Sequence, residues 1–422
     1  SQYAKRAKET RRIELPDEFG YGSLAGFYTF DEMIAWLDTL HMLSPDIVSE
    51  KNSIGTTIEG RKLWAVKISD NCEEDEDEPE VLYTGLHHDR EQVSMMSVLY
   101  FMHWLTSNYP SEPDAACLVN EREMWFIPCV NPDGYVYNQK FYEDSNGKTL
   151  GMWRKNKRDN NGNGIFEWME DGVDLNRNYG NHWGPEYTGS SGDPGAETYR
   201  GESAFSERET SAVRDFVLSH SFRAALNYHT FGDLMIYPFG YQPGTYPPEP
   251  DYSVFRDLAR RMTDYNGYHQ GTGPDILYVT NGGSDDWMYE GTPNQTIFAM
   301  TPEVGSADDG FWPPPDRLIP LVRETLHQNK LLAFAAGAYP QSDIVTIEAP
   351  GEYPMPGDTI LIQIPVVNRG LESTTPDFQM TIRNLGNVAS FRDSTFYVGE
   401  IAGHTSDTLV FPTPSAPLIM MI

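Results

Sequence analysis

Cysteine is scarce, with three residues in 422, and this excludes a fold stapled by a disulfide framework. Cys117 and Cys129 are a candidate pair that would leave Cys72 over; the plainer reading is three free thiols. Positive charge is also short: 31 Lys and Arg stand against 62 Asp and Glu, a net charge of −31. So acidic a chain argues against a nucleic-acid groove or an anionic membrane surface, and suits a cationic partner, bound calcium or a salty medium. No run of ~18 apolar residues occurs, so no membrane span is expected, and no apolar signal core follows Ser1. The basic opening SQYAKRAKETRR reads as a loose arm or the end of a pro-segment.

What is present is enough chain for one large domain and a smaller one. Helical periodicity runs through residues 30–43, 91–107, 206–220, 251–265 and 318–337, with a capping box expected at Ser206 and Glu209. Between these lie short apolar runs of strand type, KLWAVKIS, EVLYTGL, EMWFIPCV, AALNYH and TIFAMTPE. Strands alternating with helices predict an α/β fold with a mixed central sheet sandwiched by helices, its active residues at strand ends. The pattern changes after Tyr339: a Pro/Gly-rich junction gives way to short alternating runs separated by turn signals, which reads as a small all-β sandwich. The expected organisation is an arm at 1–24, a catalytic domain at 25–338, a linker at 339–345 and an Ig-like β-sandwich at 346–422, the last ending abruptly at SAPLIMMI.

The stretch GLHHDRE follows an apolar strand and opens a helical run. His88 and Glu91, at i and i+3, place an imidazole nitrogen and a carboxylate where they converge on one ion at a helix start. His87 has no acid three residues on. A catalytic zinc takes a third protein ligand, and His229 in NYHTFGD, closing a strand-like run, is the best candidate. Each of these residues alone is more often ordinary surface or a hydrogen-bonded strand-end histidine.

MWRKN, NPDGY, VDLNRNYG, YRGESAFSE, NYHTFGD, YVTNGGSDDW and MTPEVG occur in one order along the chain. This set resembles the zinc metallocarboxypeptidases of the carboxypeptidase A/B/T type, from about Phe27 to Gly337, with TPEVG and GLHHDRE nearer to bacterial members. The resemblance implies His88, Glu91 and His229 as the ligands of one catalytic zinc, with His87 packing nearby and Asp174 orienting His88. It implies Glu303 as general base and Arg154 as the donor that polarises the scissile carbonyl. Asn176, Arg177 and Tyr278 are implied to hold a substrate's terminal carboxylate, and Arg90 to contact substrate upstream of the cleaved bond. Asp285 falls where the family forms the base of the pocket for the last side chain, and an acid there resembles the branch preferring C-terminal Lys or Arg. Broad or apolar preference is the rival, and of Asp285 and Asp286 one is expected to be purely structural.

A second metal signal needs no resemblance. DNNGNGIFEWME, residues 159–170, fits a calcium-loop pattern with oxygens from Asp159, Asn161, Asn163, the Ile165 backbone and Glu170, and a turn glycine at Gly164. Flanking helices are not evident; the rival is an Asn/Gly-rich turn needing no ion. The whole reads as a monomeric, secreted or periplasmic zinc exopeptidase acting on peptide C-termini. Its competitors are a zinc amidohydrolase or cell-wall peptide trimmer, and an inactive, calcium-stabilised binding or adhesion protein.

Overall fold

The computed structural model describes residues 19–343, 346–348, 361–381 and 395–412. The chain divides into two units, Ser1–Ala333 and Phe334–Ile422. The first is built on eight strands: β1 (Asn52–Thr56), β2 (Lys62–Ile68), β3 (Glu80–Thr84), β4 (Glu123–Ile127), β5 (Phe222–Asn227), β6 (Leu234–Tyr237), β7 (His269–Thr272) and β8 (Phe298–Glu303). Their order across the sheet is β1-β2-β4-β3-β5-β8-β6-β7. The central β4, β3, β5 and β8 run parallel, while β1, β2 and β6 bring antiparallel pairings.

The helices are α1 (Phe30–Leu43), α2 (Gln92–Asn108), α3 (Pro113–Glu121), α4 (Pro132–Asp144), α5 (Arg208–Leu218), α6 (Asp251–Thr263), α7 (Pro315–Glu324) and α8 (Leu326–Ala336). Alternation along β3 shows how they cover both faces of the sheet. Leu82 joins one core cluster with Val213, Phe216 and Val217 of α5. Tyr83, its neighbour, packs on Phe101 of α2 and donates its hydroxyl hydrogen to the Asn329 carbonyl of α8. The mixed, helix-covered sheet expected from the sequence is therefore present. No described helix is long and apolar enough to cross a membrane.

Three local readings change. The capping box forms at Thr29 and Glu32, where each side chain takes the other's backbone N–H (3.1 and 2.8 Å), and not at Ser206. There the Ser206 hydroxyl donates to Glu207 and accepts from Asn178. Asn178 itself accepts the Glu207 N–H, so the start of α5 is capped by a residue distant in sequence. The single helix expected over 318–337 is two, α7 and α8, broken at Thr325. Cys117 and Cys129 do not pair: all three cysteines are free, Cys117 exposed on α3 and Cys129 buried past the end of β4.

In the second unit, β9 (Pro340–Ser342), β10 (Thr346–Glu348) and β14 (Ser406–Pro412) all pair antiparallel with β11 (Leu361–Asn368). β12 (Gln379–Thr381) pairs with β13 (Thr395–Tyr397). Residues 340–342, read from sequence as linker, thus contribute a strand, because their backbone groups pair with β11. The basic arm SQYAKRAKETRR and the closing SAPLIMMI lie outside the described residues.

Candidate metal centre and substrate cleft

The parallel neighbours β3, β5 and β8 end on one edge of the sheet, and the chain at or just beyond each end carries a titratable group. After β3 the backbone turns sharply. Leu86 sits at φ +51°, a strained conformation for a branched side chain. It is held there because its N–H donates to the Ser94 hydroxyl and its carbonyl accepts from Asn131. The turn delivers His87 and His88 inward and lets α2 begin just after Glu91. After β5, His229 pairs with β8: its N–H donates to the Pro302 carbonyl, and the Val304 N–H donates to its own. Glu303 follows in the same ladder.

These ends bring His88, Glu91 and His229 together, all buried, with ligand atoms within 4.8 Å of one another. Nδ1 of His88 lies 3.0 Å from Nδ1 of His229, and the Glu91 carboxylate approaches the two rings at 2.9 and 2.8 Å. Donors about 2.0–2.1 Å from a tetrahedral zinc stand roughly 3.3 Å apart, so this spacing fits such an ion closely. The donor chemistry fits too. Nε2 of His88 donates to Asp174 at 3.1 Å, which fixes the tautomer and leaves the Nδ1 lone pair aimed at its partners. Burial alone would raise the Glu91 carboxyl, but His88 and His229 hold it well below the usual carboxylate range.

Asp174 also takes Arg154, whose Nε and Nη2 reach it at 3.0 and 2.9 Å, while Nη1 stands 3.7 Å from Glu91. Burial opposes the ionisation of Asp174, yet Arg154 first, then Arg177 and His88, keep it well below its ordinary value. The Glu303 carboxyl behaves in the opposite way. Burial pushes it up to about 8; His229 opposes the shift, Glu91 adds to it and Arg154 opposes it.

Next to the metal ligands is a cleft lined by Asn176, Arg177, Tyr278, Asp285 and Glu303 among others. The Asn176 amide oxygen accepts the Ser284 N–H, which ties the segment to the glycine-rich turn. Arg177 is buried, its Nε on the Gly189 carbonyl and Nη1 on the Asn176 carbonyl. Tyr278 is half-exposed on the rim. A Cβ on Gly282, at φ +68°, would lie 2.5 Å from the Arg177 carbonyl, so glycine is what lets this turn close on the Arg177 backbone. Gly134 of NPDGY has a parallel role: a Cβ there would stand 1.7 Å from Asp89, beside the ligand loop.

Asp285 and Asp286 differ in their surroundings. Asp286 is buried, and both its oxygens accept from the Gly240 N–H. Asp285 is only part-buried in the cleft, with one oxygen on the Asn227 amide and the other on the Thr301 hydroxyl, both at 2.7 Å. Burial raises Asp285 to about 6, and those two hydrogen bonds restrain the rise. Sequence reasoning missed Asn227 and Thr301. The signal was there: each stands two residues before a named site residue, His229 and Glu303, and strand periodicity puts i and i+2 on one face. His87 is buried, stacked on His229 and hydrogen-bonded through Nε2 to Tyr179, as its packing role requires.

Arg90 shares a space with Arg154, Arg177 and Tyr278. Its guanidinium pairs with Glu197 at 3.1 and 3.2 Å and lies over Phe311. The loop at 159–170 is exposed. Both oxygens of Asp159 accept backbone N–H groups, from Gly162 and Gly164, and Asn161 and Asn163 donate to Glu167, with Asn161 also reaching Glu170. Ile165 is exposed and its N–H donates to Asn163. No helix flanks the loop among the described residues.

Comparison with known proteins agrees with this arrangement. The family profile described as zinc carboxypeptidase matches residues 33–328. Carboxypeptidase A1 of Mus musculus is 32% identical over 318 residues, covering 73% of this chain and 69% of its own. Carboxypeptidase B of Astacus astacus is 30% identical over 317 residues, 73% of this chain and 96% of its own. A zinc carboxypeptidase of Saccharothrix mutabilis subsp. capreolus is 32% identical over 297 residues, 68% and 64% respectively. Among solved structures, thrombin activatable fibrinolysis inhibitor superposes with a TM-score of 0.63 at 27% identity, covering 74% of both chains. Carboxypeptidase A of Helicoverpa armigera gives 0.63 at 29%, again over 74% of each. With three possible metal donors brought together, a part-buried glutamate beside them and this likeness in hand, the chain belongs to the zinc carboxypeptidase family.

Proposed function

We propose that this zinc carboxypeptidase removes single residues from free peptide C-termini with a preference for lysine or arginine, acting outside the cytoplasm as a monomer. The observation that carries the reading is the convergence of His88, Glu91 and His229 beside one cleft that also holds Glu303, Arg177 and Asp285. Zinc supplies Lewis acidity, the chemistry that makes a water nucleophilic near neutral pH. Glu303 takes the proton of the attacking water and returns it to the leaving amine. Arg154, anchored by Asp174, donates to the carbonyl oxygen as negative charge develops there. Asn176 and Arg177 hold the terminal carboxylate through an amide and a planar fork, and Tyr278 closes over it. Asp285 faces the last side chain, where an ammonium or guanidinium matches its charge.

The test is hydrolysis of blocked dipeptides ending in Arg, Lys, Phe, Leu or Glu, with and without a zinc chelator. Free acids ending in Arg or Lys are expected to turn over fastest, chelation to abolish turnover, and C-terminal amides to be poor substrates. Amides cleaved as fast as acids would overturn the clamp and favour a general amidohydrolase.

The same proposal gives the loop at 159–170 a structural calcium ion. It is supported by the loop's residue pattern and by Gly164 at φ +78°, the turn that such a loop requires. The loop lies between Arg154 and Asp174, so an ion there would stiffen the connection between two site segments. Removing calcium with EGTA while zinc is resupplied is expected to lower Tm by at least about 2–4 °C. An unchanged Tm assigns the loop to its own Asn and Glu hydrogen bonds.

A further inference from the structure

The cleft does not end at the clamp. Beyond Arg154 its wall is formed by Arg90, Ser190, Glu197 and Tyr278. Glu197 also lines a second hollow of about 590 Å³, framed by Phe141, Met152, Trp153, Trp168 and Met169. The two spaces share that residue and so adjoin at it. The volume lies within the range of pockets that take small ligands or side chains.

The walls of this hollow are apolar groups left in solvent. Trp168 is 65% exposed, Met169 62% and Met152 50%, a concentration that on a water-soluble surface marks a contact site. Burial was open to this loop and was used for a neighbour instead. Phe166 packs edge-on against Tyr137 and Trp153 at 5.0 and 5.3 Å, with the Lys157 ammonium over its face. Asp171, wholly buried, accepts the N–H groups of Asn160 and Glu167 and holds the loop in that shape. The two charged groups of the hollow are already engaged: Lys155 donates to the Pro194 carbonyl at 2.8 Å, and Glu197 pairs with Arg90. What the hollow offers a ligand is therefore apolar and aromatic surface.

The geometry of the cleft says what arrives there. A substrate whose end is held by Asn176 and Arg177, with its last side chain over Asp285, comes to the hollow when its upstream part runs past Arg90 towards Glu197. We propose that the hollow is a distal substrate subsite that takes an apolar, preferably aromatic, side chain several residues before the cleaved bond. The inference rests on the chain-end clamp described above, and it names the substrate class: long peptides carrying such a residue upstream of their C-terminus.

The test uses the zinc-loaded enzyme and peptides of about ten residues, long enough when extended to reach well past the clamp. All end in the same basic residue and are otherwise Gly, Ser and Ala, with one Phe walked through the upstream positions. A blocked dipeptide with the same end serves as reference. One position, or two adjacent ones, is expected to raise kcat/KM about tenfold through KM, the gain typical of an apolar side chain leaving water. The double substitution Trp168→Ser, Met169→Ser is expected to erase that gain while the dipeptide rate stays unchanged, which also reports that the variant is folded. A flat Phe profile overturns the subsite, as does a gain that survives the double substitution. A flat profile together with concentration-dependent self-association that the double variant loses would reassign the surface to contact between copies. Failure of the wild-type enzyme on the dipeptide would instead strike at the clamp reading, so the two failures are distinguishable.

Discussion

Glu303→Gln is expected to lower kcat by about 10³-fold while zinc content and near-UV circular dichroism stay at wild-type levels. The amide keeps the shape of the carboxyl group, and the residue remains fixed by the ladder between His229 and Pro302. What disappears is the basic site, and a positioned general base contributes about 10²–10⁴-fold. KM should change far less than kcat, because the clamp and the floor of the cleft are untouched. A variant with near-normal kcat would remove Glu303 from the chemistry and leave it a part-buried spacer. The pH profile carries the same information. Burial pushes this carboxyl up to about 8 when no cation stands beside it, and a neighbouring divalent cation favours the ionised form. Since the base must be ionised, activity falls as pH drops through its pKa. In the zinc-loaded enzyme that acid limb is expected below 8, and the limb should vanish in the Gln variant.

Asp285→Leu is expected to cut kcat/KM for a C-terminal Arg substrate by about 10²-fold and to raise it for a C-terminal Leu substrate. Leaving a buried cation without its partner costs about 2–5 kcal/mol, whereas an apolar floor accepts an apolar side chain. Substitution also frees the Asn227 amide and the Thr301 hydroxyl, which now both serve Asp285. Asp285→Asn therefore provides a second variant that disturbs the pocket less. The wild-type ratio of Arg to Leu turnover should itself depend on pH. Asp285 titrates near 6 because burial disfavours its charge, so the ratio rises as pH increases through that value. It should be flat in both variants. An unchanged ratio in Asp285→Leu would give the floor of the pocket to another residue.

Much of this site was legible in the linear chain, and for a physical reason. His88 and Glu91 are neighbours on one turn, so their joint aim follows from local geometry alone. His229 and Glu303 each close an apolar run, and strand ends of a parallel sheet are where side chains face an open edge. What stayed hidden was set by pairing between distant segments. Asn178 caps α5 from 29 residues away, and no local pattern announces that. The partners of Asp285 come from β5 and β8, whose adjacency is a matter of sheet order. Of two adjacent acids, the resemblance pointed to Asp285 and left open which was structural; the Gly240 N–H on Asp286, against Asn227 and Thr301 on Asp285, tells their surroundings apart. The helices α3 and α4 went unread because their amphipathic stripes are short, although Pro113 and Pro132 occupy the first helical position that favours proline.

The ladder between residues 229 and 303 gives this protein an internal reporter of assembly. Its metal donors come from segments about 140 residues apart, and they meet only when the middle of the sheet has found its native order. A partly collapsed chain, however compact, would offer at most the local His88 and Glu91 pair and hold zinc weakly. Tight zinc uptake during refolding should therefore coincide with the last cooperative step, and the ion, preferring the completed arrangement, would lock it in place.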